Sequence, residues 1–176
     1  MANCVMITTS VMAENVDSLN RTAKCSEPLQ NGAPVTLKLE EKAGSNVFTA
    51  TKATKEGGIW LAYSPEVNKV VVGDVYGGED PRNFVNVANK PFDVIRVMSG
   101  DIIQVTKEFF QNSLDPKTVS NATVVEIDGS GFKAVESESS PGKAVFNIMR
   151  EEPMIIGSAG IGGEQVQAWL LECVAN

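Results

Sequence analysis

The chain has 176 residues, a formal net charge of −7, 43% hydrophobic and 21% charged residues. This length allows one ordinary domain with a buried core, and the composition excludes a disordered chain; no apolar run approaches the ~20 residues of a membrane span. The negative charge argues against a nucleic-acid partner, because phosphate binding depends on clustered Lys and Arg.

The residue types needed for the commonest enzyme chemistry are missing or scattered. The chain has no histidine, which excludes a Ser-His-Asp nucleophile and removes the usual acid–base catalyst. Cys4, Cys25 and Cys173 are spaced unlike any zinc or redox motif, so we expect reduced thiols, with a Cys4–Cys25 disulfide as the alternative. We therefore predict a binding protein with no enzymatic activity, no cofactor and no metal. Its first residues lack a secretion signal, which favours assembly in the cytoplasm.

Residues 1–33 show no helical or strand period that lasts. Two interpretations stay open: an extended arm that orders against a partner, and an ordinary N-terminal strand and loop. The predicted division is an N-terminal arm over 1–33 and a β-rich domain over 34–176. The arm residues predicted to contact a partner are Asn3, Val5, Met6 and Ile7.

From residue 34 onward, short strand-like runs alternate with Gly, Pro, Asn and Asp. An alternating run that begins at Val35 is typical of a half-buried strand, and residues 59–63 are too apolar for a surface strand. Residues 70–72 predict a β-branched strand, and residues 76–83 predict a loop because two glycines and an Asp-Pro interrupt them.

The second half of the chain predicts hairpins and a closing strand. One hairpin is expected to join 92–98 to 101–106 around Ser99-Gly100, and another to join 123–127 to 132–135. Residues 165–175 predict a final strand in which Val166, Ala168 and Leu170 alternate with Gln165, Gln167, Trp169 and Leu171. Roughly eight or more strands with turn signals about every ten residues predict a mainly β, single-domain barrel or sandwich of short antiparallel strands.

Three groups of residues could carry chemistry, and each has a simpler interpretation. The glycine-rich stretch 157–163 could cradle a phosphate, but no Lys-Ser/Thr ends it and no helix pattern follows, which favours a hairpin loop. Three carboxylates could bind calcium or act as the acid and base of glycoside hydrolysis, but we favour the interpretation that they are solvated acids: Glu79, Asp80 and Asp101. Aromatic residues could form a sugar-stacking platform, but their apolar runs favour core positions; these are Trp60, Tyr63 and Trp169.

Six segments form a pattern of strands, turns and a Gly-Asp-Ile hairpin: 44–52, 59–65, 89–96, 100–106, 124–134 and 165–174. Taken in order, these segments resemble the head decoration proteins of tailed bacteriophages, also called cement or capsid auxiliary proteins. The similarity covers most of residues 35–175.

The resemblance implies a non-enzymatic virion protein that binds the outer surface of a bacteriophage capsid and stabilises contacts between major capsid protein subunits. Its partner would be the major capsid protein, with self-association into a homo-oligomer as a further option. The alternative function is a receptor- or carbohydrate-binding module of a phage tail or head spike. A hydrolase or isomerase on a cupin-like barrel is weakened by the missing histidines.

Overall fold

The computed structural model describes residues 19–39, 46–53, 58–65, 69–72, 75–78, 84–107, 110, 124–127, 132–135, 144–158 and 162–176. These residues contain fourteen strands and no α-helix, so the predicted mainly β fold is confirmed. In chain order the strands are β1 Asn20–Lys24, β2 Pro34–Leu39, β3 Val47–Lys52, β4 Trp60–Ala62, β5 Lys69–Val72, β6 Val75–Gly78, β7 Phe92–Ile95, β8 Ile102–Thr106, β9 Val124–Ile127, β10 Phe132–Val135, β11 Val145–Glu151, β12 Met154–Ser158, β13 Gly162–Val166 and β14 Ala168–Ala175.

Five of the strands close into a barrel in the order β1-β3-β2-β4-β7, and β7 pairs back with β1. Strands β1 and β3 run parallel, whereas the other barrel pairs are antiparallel. A five-stranded barrel has a narrow interior, and alanines occupy buried inward positions on three of its strands: Ala23, Ala50 and Ala62. Small side chains at these positions let the strands close around Val35 and Val94.

A second, antiparallel sheet has the order β10-β9-β11-β14-β8. Strand β14 lies between β11 and β8 in this sheet and is buried on both faces over Ala168–Leu171. The predicted alternation, with Ala168 opposite Trp169 and Leu171, is present, and both of these faces are covered. The odd-numbered residues Trp169 and Leu171 face the barrel, whereas Ala168 packs with Met154 and Ile156 of the β12–β13 hairpin. A strand that is covered on both sides requires apolar residues at consecutive positions.

The barrel and the second sheet share one core, which we call the shared core. The buried strand predicted at residues 59–63 is confirmed, because β4 has its inner side in the barrel and its outer side in this core. Phe110 meets Trp169 edge to face, with ring centroids 5.6 Å apart. The shared core consists of Ala53, Ile59, Leu61, Ile95, Val97, Ile103, Val105, Phe110, Ala144, Phe146, Ile148, Trp169, Leu171 and Cys173.

The connection from β7 to β8 is a tight turn but not a hairpin. Gly100 has a positive φ of 94°, and the Asp101 carboxylate accepts a hydrogen bond from the Met98 N–H at 2.7 Å. The predicted turn chemistry is therefore present. The predicted pairing is wrong, because β7 pairs with β1 and β4 in the barrel, whereas β8 pairs with β14.

Of the other local predictions, two hairpins and one strand are confirmed, and one loop is wrong at its start. The hairpin of β9 and β10 is confirmed, with Ile127 opposite Phe132, and so is the glycine-rich hairpin of β12 and β13, with Ser158 opposite Gly162. The strand predicted at 70–72 is confirmed as β5, but the loop predicted from Tyr76 is wrong at its start, since β6 pairs with β5 there.

The boundary predicted at residue 33 lies too late in the chain. Strand β1 closes the barrel, and Leu29 and Asn31 beyond it are buried. From residue 19 onward the segment follows the second interpretation left open above, a strand and loop. Residues 1–18, the remainder of the predicted arm, lie outside the described residues.

Asn176 ties β14 to the barrel through its side chain. Its Oδ1 accepts a hydrogen bond from the Ile59 N–H, and its Nδ2 donates to the carbonyls of Ile59 and Val97, each at 2.9 Å. Because Ile59 and Val97 belong to the shared core, this amide holds the backbone at the edge of that core.

We predict that Asn176→Ala lowers the free energy of unfolding by about 1–3 kcal/mol, because buried backbone groups of Ile59 and Val97 lose their partners. Urea denaturation measures the change. The control is Val174→Ala at an exposed position of the same strand, with an expected change within about 0.5 kcal/mol. Equal stability of Asn176→Ala and the wild type would contradict this role of the amide.

A second prediction concerns pH. Burial, assisted by the charge of Asp101, raises the pKa of the Cys173 thiol to about 12 from an ordinary value of 9.0. The folded state therefore holds this proton more tightly than the unfolded state, and the resulting stabilisation is complete below pH 9 and is lost as the pH rises toward 12. Cys173→Ala should make the fall of stability above about pH 9 shallower, by up to about 1.4 kcal/mol per pH unit. Parallel curves for the variant and the wild type would show this to be wrong.

Candidate binding site

A buried polar cluster fixes the loops at one end of the barrel. Asn31 Nδ2 donates to the Ser64 carbonyl at 2.7 Å, and Asn31 Oδ1 accepts from the Ser64 N–H at 3.1 Å. Asn86 Nδ2 contacts the same Oδ1 at 3.2 Å and the Leu29 carbonyl at 3.1 Å. Because these amides satisfy one another and the backbone, three chain segments are held in one arrangement.

The end of β4 is fixed to β7 next to this cluster. The Tyr63 N–H donates to the Asp93 carbonyl at 2.8 Å, and the Asp93 N–H donates to Ser64 Oγ at 3.0 Å. On the other side of β7, Asp93 lies opposite Thr22 of β1. These pairings bring side chains from β1, β4 and β7 around one depression.

The depression is a cavity of about 540 Å³ on the barrel surface. Asp93 is exposed between the buried Phe92 and Val94, so its side chain points away from the barrel interior. The residues that line the cavity are Asn20, Arg21, Thr22, Asn46, Tyr63, Pro65 and Asp93. One cation and one anion are present, so the lining has no net charge.

Arg21 has a structural role beside the cavity. It lies two residues before the inward-facing Ala23, and its Cζ is 5.9 Å from the ring centroids of both Phe48 and Trp60. Its Nη1 also donates to the Asn20 carbonyl at 3.1 Å. The guanidinium therefore covers two half-buried aromatic rings of the barrel core.

The candidate residues from the sequence are distributed differently from the prediction. Asn3, Val5, Met6 and Ile7, predicted to contact a partner, lie outside the described residues, as do Glu79 and Asp80. Asp101 forms the turn before β8. Within the described chain, no group of three or more His, Cys, Asp or Glu side chains could hold a metal ion.

The three aromatic residues considered for a platform do not form one. Trp169 is only 2% exposed in the shared core, as the simpler interpretation predicted, and Trp60 lies half-buried under Arg21. Tyr63 packs against the shared core and also reaches the cavity.

Sequence reasoning missed the polar lining of the cavity. One signal was present: Asp is depleted in strands, yet Asp93 stands between two apolar strand residues. Asn46 and Thr22 carried no such signal, because their proximity to Asp93 depends on barrel closure.

Comparison of the chain with protein-family models, curated proteins and solved structures gives no match. The described part of the chain contains no helix with the length and hydropathy of a membrane span.

We predict that Arg21→Ala exposes Trp60 and lowers the free energy of unfolding by about 1 kcal/mol, because the guanidinium no longer covers the ring. Trp60 and Trp169 are the two tryptophans of the chain, and Trp169 is buried elsewhere, so increased acrylamide quenching would report on Trp60. The matched control is Arg150→Ala, whose guanidinium is exposed and bonds Glu152. Unchanged quenching in Arg21→Ala would contradict the stacking.

Proposed function

We propose that this protein is a non-enzymatic structural component of a bacteriophage virion that binds the outer surface of the capsid. There it stabilises contacts between neighbouring major capsid protein subunits after the capsid has expanded. The observation that carries the proposal is where the segments resembling head decoration proteins fall in the fold.

These segments contribute strands to both sheets rather than to one loop or one turn. Segment 44–52 contains β3, and segment 59–65 contains β4 and the start of the cavity wall. Segment 165–174 includes most of β14, which lies between β11 and β8 in the second sheet. The segments that carry the resemblance thus supply strands on both sides of the shared core, which supports a use of the folded body like that of the decoration proteins.

The described surface has exposed apolar side chains on backbone that is held by strand pairing, as a protein-binding surface requires. Val87 is 64% exposed next to Asn86, whose backbone pairs with Leu29. Ile155 is 78% exposed on the β12–β13 hairpin, and its side chain lies where a Cβ at Gly163 would be. Glycine at position 163 thus lets Ile155 lie flat across the hairpin. Both residues are positioned to contact another protein without prior rearrangement.

Physical considerations agree with capsid binding. A shell offers many identical sites, so a binder that engages more than one subunit gains avidity from modest individual contacts. A net charge of −7 helps to keep densely decorated particles soluble. Residues 1–18 precede β1, and the predicted contacts at Asn3, Val5, Met6 and Ile7 would add a second area of contact to the folded body.

We predict that the full chain cosediments saturably with purified expanded phage heads, and that two variants lose this binding. Deletion of residues 1–18 removes the predicted arm contacts while leaving Leu19, whose carbonyl accepts from the Arg96 N–H. Ile155→Glu places a charge where the exposed apolar side chain would be buried, with an expected loss of about tenfold or more in affinity. Gel quantification of the pelleted protein measures both effects.

Thr49→Glu is the matched control, because it adds the same charge at an exposed barrel position. Circular dichroism and thermal unfolding should show that all variants remain folded. Absence of the wild-type chain from pelleted heads would overturn the proposal. Undiminished binding by the chain lacking residues 1–18 would refute the arm contacts alone.

A further inference from the structure

We propose that the cavity between β1, β4 and β7 is a binding site for a neutral saccharide of one or two rings. The site juxtaposes the carboxylate of Asp93, the phenol of Tyr63, the hydroxyl of Thr22 and the amide of Asn46. This inference is independent of capsid binding, since the cavity belongs to the folded body itself.

The hydrogen-bonding capacity of the lining matches the hydroxyls of a sugar. In the part of the chain that the structure describes, the side chains of Thr22, Asn46, Tyr63 and Asp93 form no hydrogen bond with another residue. Together they offer a carboxylate that accepts, an amide that does both, and two hydroxyls that do both. Sugar hydroxyls donate and accept in the same way, so adjacent hydroxyls of one ring match this mixed set.

The charges of the lining disfavour an anionic ligand. Asp93 would repel an anion. Arg21, the cation of the lining, already stacks over Phe48 and Trp60 and donates to the Asn20 carbonyl. The guanidinium is therefore not positioned to donate two parallel hydrogen bonds to a carboxylate or phosphate. An uncharged ligand with many hydroxyls avoids the repulsion and can still donate to Asp93.

Tyr63 provides a rigid apolar contact in the cavity. Its ring is half-buried and packs against the shared core, while its backbone N–H is bonded to Asp93. Pro65 adds a second apolar side chain to the same wall. A fixed aromatic ring beside polar groups suits a sugar, whose C–H face is apolar and whose rim is hydroxylated.

The cavity has the size and the preorganised wall of a small-molecule site. A cavity of about 540 Å³ lies within the range of small-molecule sites and has room for one or two sugar rings. The cluster of Asn31, Ser64 and Asn86 holds the wall containing Tyr63 and Pro65 before any ligand arrives. Little ordering is then required on binding, which favours affinity from few contacts.

Saturation-transfer-difference NMR on the full chain tests the site. The probes are the methyl glycosides of glucose, galactose, mannose and N-acetylglucosamine, and lactose, each at about 10 mM. We expect at least one probe to bind with a Kd of about 1 mM. Asp93→Asn and Tyr63→Ala should each weaken that binding by about tenfold or more, because the first removes the charge and one of the two acceptor oxygens and the second removes the ring with its hydroxyl.

Glu151→Gln is the control for Asp93→Asn, since it removes one negative charge at an exposed residue outside the lining and should change Kd by less than about twofold. Tyr63→Phe keeps the ring and loses only the hydroxyl, so it should bind more tightly than Tyr63→Ala if the ring stacks on the sugar. Nα-acetyl-lysine amide and acetate serve as charged probes.

Three outcomes would overturn the proposal: no saturation transfer to any neutral probe, transfer to a charged probe alone, or equal Kd values in the wild type, Asp93→Asn and Tyr63→Ala. Failure here leaves cosedimentation with heads unaffected, and failure of cosedimentation leaves saccharide binding by the isolated chain unaffected. The two proposals are therefore separable.

Discussion

Packing of the outer face of the barrel against the second sheet is the constraint on which the rest of the structure depends. Leu61 of β4 and Ile95 of β7 point out of the barrel into the shared core, whereas their neighbours Ala62 and Val94 point inward. Trp169 and Leu171 of β14 complete this core from the other side. Two barrel strands are thus buried on both faces at the positions where they meet the second sheet, and neither sheet covers its apolar surface without the other.

That constraint also determines where polar side chains can gather. Where β4 leaves the shared core, Tyr63 still packs against it, while Ser64 turns into the polar cluster with Asn31 and Asn86. Asp93, opposite Thr22 on β1, is directed outward because Phe92 and Val94 are needed inside the barrel. The cavity is a consequence of this arrangement, because Thr22 and Asp93, which line it, alternate along their strands with side chains that form the barrel core.

Predictions from sequence succeeded where the determining interactions are local. The hairpins of β9 with β10 and of β12 with β13 follow from glycine-rich turns between β-prone runs, and both partners lie close in the chain. The turn at Gly100 was equally recognisable, but turn chemistry does not determine which strands pair. Strand β8 pairs with β14, more than sixty residues later in the chain, because hydrophobic burial in the second sheet outweighs the short connection to β7.

The sequence by itself determined the β-rich class, the buried run at 59–63 and the positions of several turns, because alternation and turn residues act over a few neighbouring positions. Only the tertiary structure decided that the polar segment Asn20–Lys24 is a strand, that β14 is buried on both faces, and that Asp93 meets Thr22 and Tyr63. Each of these features depends on residues that are distant in the chain. Strand pairing with those residues, or burial beneath them, supplies the free energy that the local sequence does not.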